Sequence, residues 1–444
     1  MNTLYFGAVL IYVVCVIGYS FILSKKENRA DFVIGSRSFG PIRVAFSLVT
    51  SWFSAGGLVY YYTLVATGLP TMLTLTAAAA IGLLIFSFLV PDFYNRAVEK
   101  HYITMSEYIT GDIGKLTGTI CAILIPLLFL CYFLFELIAS GLLLSELTGI
   151  PYIWCLCLSA GVVGFYLVLG GFKVLINSDF IQASLLFFFF VLFILLLSEK
   201  PEIDFNRFFE VKGGVSLKAL LGAFIGFFLA VIIAPDTWQR ALCARSATDS
   251  RNGLRLASVT YIFVYGGLAL VLMALFSLKP DVIEGGGYHY LIFEYTHPVL
   301  GALLLTTLIA AMMSTLDTII FVTSQSLSTD IAYLFGKRLD HPRKVLRMAI
   351  ILIVIGSIVL AYFFRDIGFL FWFMLSYWVS FVPCLYLFAP KYKPSDKACA
   401  LSMLVIIAGI SFLHATGVYQ EYMAVYFLIG GLIAPKVIDP LITR

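Results

Sequence analysis

The sequence predicts an all-α integral membrane protein with about thirteen transmembrane helices. Three observations lead there. Hydrophobic residues make up 61% of the chain and charged residues only 12%, half of the roughly 25% that a soluble domain carries. The apolar residues fall in runs of about 20, the length that crosses a bilayer as a helix. Lysine and arginine collect at alternate junctions between those runs.

In chain order, the candidate spans lie near 2–24, 44–69, 70–94, 116–146, 150–171, 175–198, 216–239, 253–277, 298–333, 345–364, 367–389, 398–415 and 421–439. The first has no basic stretch before it and ends in SKK, so it is expected as an uncleaved helix and not a signal peptide. With the N-terminus outside, the inner segments hold 23 of the 29 Lys and Arg, at 25–43, 96–115, Lys173, 240–255, 337–347, 391–397, Lys436 and Arg444. The outer segments hold only Lys200, Arg207, Lys212, Lys218, Lys279 and Arg365. That asymmetry is the positive-inside rule, and it places the C-terminus in the cytoplasm of a multi-pass inner (plasma) membrane protein. Loops of about twenty residues at most leave room for one polytopic domain, 1–444, and no soluble one. The eight cysteines lie mostly in apolar runs, and Cys155 and Cys157 are wrongly spaced to share a helix face. No metal or disulfide framework is expected from them. No filter-like loop marks a channel, and no convergent His, Cys and acid set marks an enzyme.

Two spans are interrupted. The second reads SLVTSWFSAGGLVYYYTLVATG, with Ser54, Ala55, Gly56 and Gly57 at its middle. Each mid-helix glycine costs roughly 1 kcal/mol relative to Ala, so unwinding or close helix packing is expected. In the seventh, Pro235 removes a backbone donor and should kink or end the helix. Broken helices at corresponding positions of two halves point to a transporter's midplane site. Spans two to six and seven to eleven are those halves.

The ninth span is apolar until MMSTLDTIIFVTSQSLSTD (312–330), which carries eight hydroxyls and two aspartates. On a helix, Ala311, Ser314, Thr315 and Thr318 fall at i, i+3, i+4 and i+7, one face, with Asp317 beside it. Such oxygens either glue helices together or cage a dehydrated alkali cation completed by carbonyls of an unwound neighbour. An intramembrane carboxylate such as Asp317 points to function. Asp179, with Gln182 one turn later, is a second one; it either caps a helix N-terminus or joins the cation.

AAMMSTLDTIIFVTSQSLSTDI (310–331), GGFKVLINSDFIQ (170–182), SLVTSWFSAGG (47–57) and PDTWQRALCARS (235–246) resemble segments of the sodium/solute symporter family. The resemblance covers nearly the whole chain, and the 310–331 motif is its most specific piece. It implies two inverted five-helix repeats (a LeuT-type core, about 44–198 and 216–389) with one helix before and two after. It also implies a principal sodium site made by the carbonyls of Thr50, Phe53 and Ala311 and the hydroxyls of Ser314 and Thr315. Some members hold a second ion at positions similar to Asp179, Ser314, Asp317 and Thr318. Asp317 departs from the small hydroxyl residue usual there, which leaves sodium or a proton open at that site.

The substrate pocket is expected beside 54–57, walled by Trp52, Gly56, Gly57, Tyr60, the Pro235/Asp236 break, and Trp372, Tyr377 and Trp378 of the eleventh span. Glycines at 56 and 57 and apolar Ile233 lack the polar side chains of sugar-transporting relatives. Glu136, mid-way along the fourth span, either bonds a neighbouring helix or receives a substrate's amino group. A small amino acid, bound carboxylate-first to free backbone donors near Gly56, is the favoured substrate; a monocarboxylate, vitamin or amine also fits. The expectation is a sodium-coupled symporter working by alternating access in the lipid bilayer, with no nucleic acid, enzyme activity or obligate protein partner. Its rivals are a proton-coupled symporter and a solute-binding sensor without net transport, although no kinase-like segment follows residue 439.

Overall fold

A computed structural model describes residues 3–25, 28–198, 203, 205–209, 216–278, 287–336, 342–389, 391–420 and 422–442. The described residues form helices joined by short turns. α1 (Thr3–Ser24) leads into the broken second span, α2 (Pro41–Trp52) and α3 (Ala55–Thr63), then α4 (Leu69–Glu99), α5 (Lys115–Thr148) and α6 (Tyr152–Ser198). The broken seventh span is α7 (Leu217–Ile233) and α8 (Pro235–Leu242), followed by α9 (Ala247–Leu278) and α10 (Pro298–Gln325). α11 (Pro342–Phe363), α12 (Ile367–Trp378), α13 (Asp396–Ala415) and α14 (Met423–Ile442) complete the chain.

Both interruptions are real bends, of 60° between α2 and α3 and 41° between α7 and α8. In the first, Phe53 (φ −81°, ψ 82°) and Ser54 (φ −107°, ψ 164°) leave helical geometry. Ser54 Oγ then accepts the Gly57 N–H at 2.8 Å and caps α3. In the second, Pro235 stands in the first turn of α8 and Ala234 before it is extended (φ −71°, ψ 124°). A proline is at home in a first turn, and its ring pushes the preceding residue out of the helical region.

Among the described residues, ten helices are long and apolar enough to span, or twelve with each bent pair as one span. The difference from thirteen arises at 150–171 and 175–198, which form one helical run, Tyr152–Leu192, of 41 residues. At 1.5 Å per residue that is about 60 Å, roughly twice the hydrocarbon thickness, and it is interrupted at Gly171 (φ 52°, ψ −144°). Only glycine adopts that conformation readily. A Cβ there would also stand 2.6 Å from the Phe32 carbonyl oxygen.

α10 is the central helix. Every residue from Leu304 to Gln325 is buried, against α1, α2, α5, α6 and α11. α14 is peripheral, with only Gly431 and Pro435 buried. Large apolar side chains such as Ile22, Phe88, Ile123, Trp154 and Leu352 are exposed, as lipid-facing positions must be.

Candidate functional site

Where α2, α6, α8 and α10 meet, a buried ionic knot forms. Asp179 and Arg240 are both fully buried, with Arg240 Nη2 3.2 Å from Asp179 Oδ2. Ser314 Oγ donates to Asp179 Oδ1 at 2.5 Å, and Ser47 Oγ donates to Oδ2. Arg240 donates from Nη2 to Thr318 Oγ1 at 2.6 Å and from Nε to Ser47 Oγ at 2.8 Å. A charge removed from water is tolerated only when it is paired and hydrogen-bonded, and here both partners are. Asp317, also buried, makes no ion pair with Arg240 among the described residues: it accepts Tyr166 O–H at 2.5 Å and Thr318 Oγ1–H at 3.3 Å. Gln182 donates to Tyr12 O–H at 2.9 Å.

This arrangement revises the second-ion expectation. Asp179, Ser314 and Thr318 do converge, but on the guanidinium of Arg240, and Asp317 belongs to the Tyr166 side. The position that a second sodium would need is filled by a cation of the chain itself, so these residues do not fit a second sodium. Arg240 was counted above among inner-loop charges; it is instead fully buried. Charge placement by flanks missed it because Arg240 follows an apolar span by only a few residues. The available signal was its spacing from Asp236, one turn earlier on the same short helix.

One turn along α10, Thr315 is fully buried and its Oγ1 has no hydrogen-bond partner among the described residues. Ala311 lies on the same face, also buried. Thr50 is buried on α2, its hydroxyl donating to the Phe46 carbonyl at 2.8 Å, and Phe53 follows at the bend. Buried orphan oxygens are rare, and a hard alkali cation takes oxygen ligands of this kind. Thr315 therefore fits sodium as ligand.

Beside the two bends lies a cavity of about 100 Å³. Of the residues expected at the pocket, Trp52, Gly57, Tyr60, Glu136, Asp236 and Trp378 line it, and Gly56 and Pro235 do not. Trp52 Nε1 donates to Asp236 Oδ2 at 2.9 Å, joining the two broken helices directly. Tyr61, Tyr132, Phe135, Phe227, Tyr261 and Tyr265 complete much of an aromatic wall; their helices read as uniformly apolar, so nothing in sequence distinguished them. The side chain of Trp372 lies outside the described residues.

Two expected contacts are arranged otherwise. The Gly56 N–H donates to Glu136 Oε2 at 3.0 Å and the Gly57 N–H to Ser54 Oγ, so neither backbone donor is free for a carboxylate. Gly56 is instead a close-approach position: a Cβ would stand 2.0 Å from the Phe135 ring and 2.9 Å from Glu136 Oε1. Tyr377 turns outward, its hydroxyl paired with Ser411 Oγ at 2.8 Å on α13, and does not line the cavity.

Two broken helices crossing beside a buried cavity and a hydroxyl-bearing central helix define a secondary transporter. The sequence pattern of the sodium:solute symporter family matches residues 32–390, and the chain belongs to that family. It is a sodium-coupled symporter of a small solute, on a LeuT-type fold. It is 24% identical to sodium/proline symporter 2 of Staphylococcus saprophyticus, over 94% of this chain and 88% of that one. Identity to the high-affinity proline transporter PutP of Bacillus subtilis is 23%, over 94% and 93%. The structure of a sodium-coupled sialic acid symporter, in a substrate-bound outward-open state, is similar with a TM-score of 0.86 at 16% identity. That likeness covers 99% of this chain and 98% of the other, and it concerns the fold.

Proposed function

We propose that this protein imports a small zwitterionic amino acid, proline or one of its size, together with one sodium ion. The observation that carries the substrate is a pair of unsatisfied groups on residues that line the same cavity. Among the described residues, Glu136 Oε1 is a buried acceptor without a hydrogen-bond partner and Trp378 Nε1 is a buried donor without one. A substrate with an ammonium group and a carboxylate satisfies both, and an ammonium also gains from the surrounding aromatic faces. The lining holds two carboxylates, Glu136 and Asp236, and no basic side chain, which disfavours a monocarboxylate. The curated relatives named for proline support the same class.

Sodium is held by the carbonyls of Thr50, Phe53 and Ala311 and the hydroxyls of Ser314 and Thr315. With Arg240 seated among Asp179, Ser314 and Thr318, a single sodium accompanies each substrate. Ser314 links the two clusters, because its hydroxyl already donates to Asp179. The halves at about 44–198 and 216–389 rock as inverted repeats around this fixed centre. The N-terminus faces outside and the C-terminus the cytoplasm, as the charge asymmetry requires. The protein works without enzymatic chemistry and without an obligate protein partner.

The test is linked binding. If both ligands share one state, each raises the other's affinity by the same factor. Proline and similar amino acids should therefore raise the melting temperature of the purified protein in sodium and not in potassium. The amide of the same amino acid, which lacks the carboxylate, should be without effect. Stabilisation by a sugar or an unsubstituted monocarboxylate, with none by amino acids, would overturn the substrate assignment.

A further inference from the structure

A second polar cluster lies deeper along α10, about 24 Å from Ser314 at 1.5 Å per residue. There the helix passes into a π-helical turn, Ser326–Asp330, a widened geometry often found at functional positions. Asp330 is only 3% exposed. Thr104 Oγ1, at the N-cap of the short helix Met105–Asp112, donates to Asp330 Oδ1 at 2.6 Å. No basic side chain pairs with Asp330 among the described residues. A buried carboxylate without a balancing charge calls for compensation from elsewhere.

A cavity of about 20 Å³ lies against this carboxylate, lined by Thr104, Gln239, Gln325, Ser326 and Asp330 among others. One water-sized occupant needs roughly 10–15 Å³, so the space takes one small species. Two of the lining oxygens are buried, on residues 4% and 2% exposed: Gln239 Oε1 has no hydrogen-bond partner among the described residues, and the Ser326 hydroxyl faces the Asp330 carboxylate. Gln239 Nε2 donates to Gln325 Oε1, which bridges α8 to α10. Gln239 is also the neighbour of Arg240, so α8 touches both polar clusters.

Carboxylate, hydroxyl and amide oxygens with one net negative charge make a ligand set for a hard cation. We propose that this cluster is a second alkali-cation station, taken by sodium after it leaves Ser314 and Thr315 on its way inward. The inference rests on the sodium reading of those two residues. The station is built where three elements meet: the segment carrying Thr104, α8 and the end of α10. An arriving ion competes with Thr104 for Asp330 and loosens that contact, which ties ion exit to opening of the inner side.

The experiment uses the full chain in oriented proteoliposomes, with sodium as the probe on either side. Half-saturating sodium is measured for uptake, from the outer face, and for efflux of preloaded substrate, from the inner face. Asp330→Asn should raise the inner value roughly tenfold, as expected for losing one charged ligand contact, and leave the outer value unchanged. Asp330→Glu, which keeps the charge, should restore most of the inner affinity. Thr104→Val, which removes the competing hydroxyl, should lower the inner value. If Asp330→Asn changes neither side, or shifts both equally, the cavity holds only a water within a polar seam and the station does not exist. If wild-type transport ignores sodium on both faces, the sodium reading itself fails, a result distinct from either of those.

Discussion

A buried hydroxyl without a partner is destabilising by about 1–3 kcal/mol, and Thr315 Oγ1 is such a group among the described residues. On the proposed sodium site, ligation by the ion would relieve it. Thr315→Ala should therefore raise half-saturating sodium roughly tenfold, the loss of one ligand, while leaving the protein folded. Sodium-dependent thermal stabilisation reads this without any substrate; full stabilisation in the variant would remove Thr315 from the site. Arg240 behaves in the opposite sense, because it holds a charge and binds nothing mobile. Arg240→Gln leaves Asp179 as an uncompensated buried carboxylate, a change of about 3–5 kcal/mol toward unfolding. The Arg240→Gln/Asp179→Asn double variant should be more stable than Arg240→Gln alone, a coupling that a double-mutant cycle measures. Additive losses would show that the pair does not interact. The contrast explains what was legible at this scale. Ser314 and Thr315 stand out by helical spacing inside an apolar run, which marks them as a buried polar face and leaves their role to the proposal. Arg240 does not, because a basic residue just past a span looks the same whether it points to water or back into the core.

Helix breaks were the most legible elements, because backbone chemistry is local. Pro235 and the Ser54–Gly57 stretch each coincide with a bend. What fills the space beside a bend is not local. The Phe135 ring and Glu136 carboxylate seated over Gly56 come from a helix eighty positions away, and Glu136 takes the Gly56 N–H that was expected to be free, while Ser54 Oγ takes that of Gly57. Gly56→Val should therefore abolish transport by displacing Phe135 and Glu136 from the cavity wall, whereas Gly57→Ala meets its nearest neighbour, Ser54 Oγ, at 3.0 Å and should be milder. Uptake per surface-expressed molecule distinguishes them, and equal activity of both variants with wild type would make the bend mere packing. At Gly171 a side chain is strained whatever surrounds it, so Gly171→Ala should lower the melting temperature even with the site untouched. An unchanged melting temperature would mean the interruption in α6 is not enforced by its backbone.

For the molecule as a whole, hydropathy and composition carry the fold class, and family likeness carries the activity. Twelve helical runs stand where thirteen spans were expected because the apolar runs at 150–171 and 175–198 join as helix across the Gly171 kink, a junction that no hydropathy window resolves. The central claim joins the scales: a sodium ion on α10 and an amino acid across Glu136 and Trp378 cross together, with Arg240 as the fixed charge. Moving one sodium with a zwitterion carries one net charge, worth about 2.3 kcal/mol per 100 mV. The most direct measurement is radiolabelled proline uptake into proteoliposomes under a sodium gradient, with the reversal potential giving charge per substrate. The account predicts uptake that requires sodium and carries one charge per proline. Uptake that persists in potassium, or two charges per substrate with Arg240 in place, would contradict it.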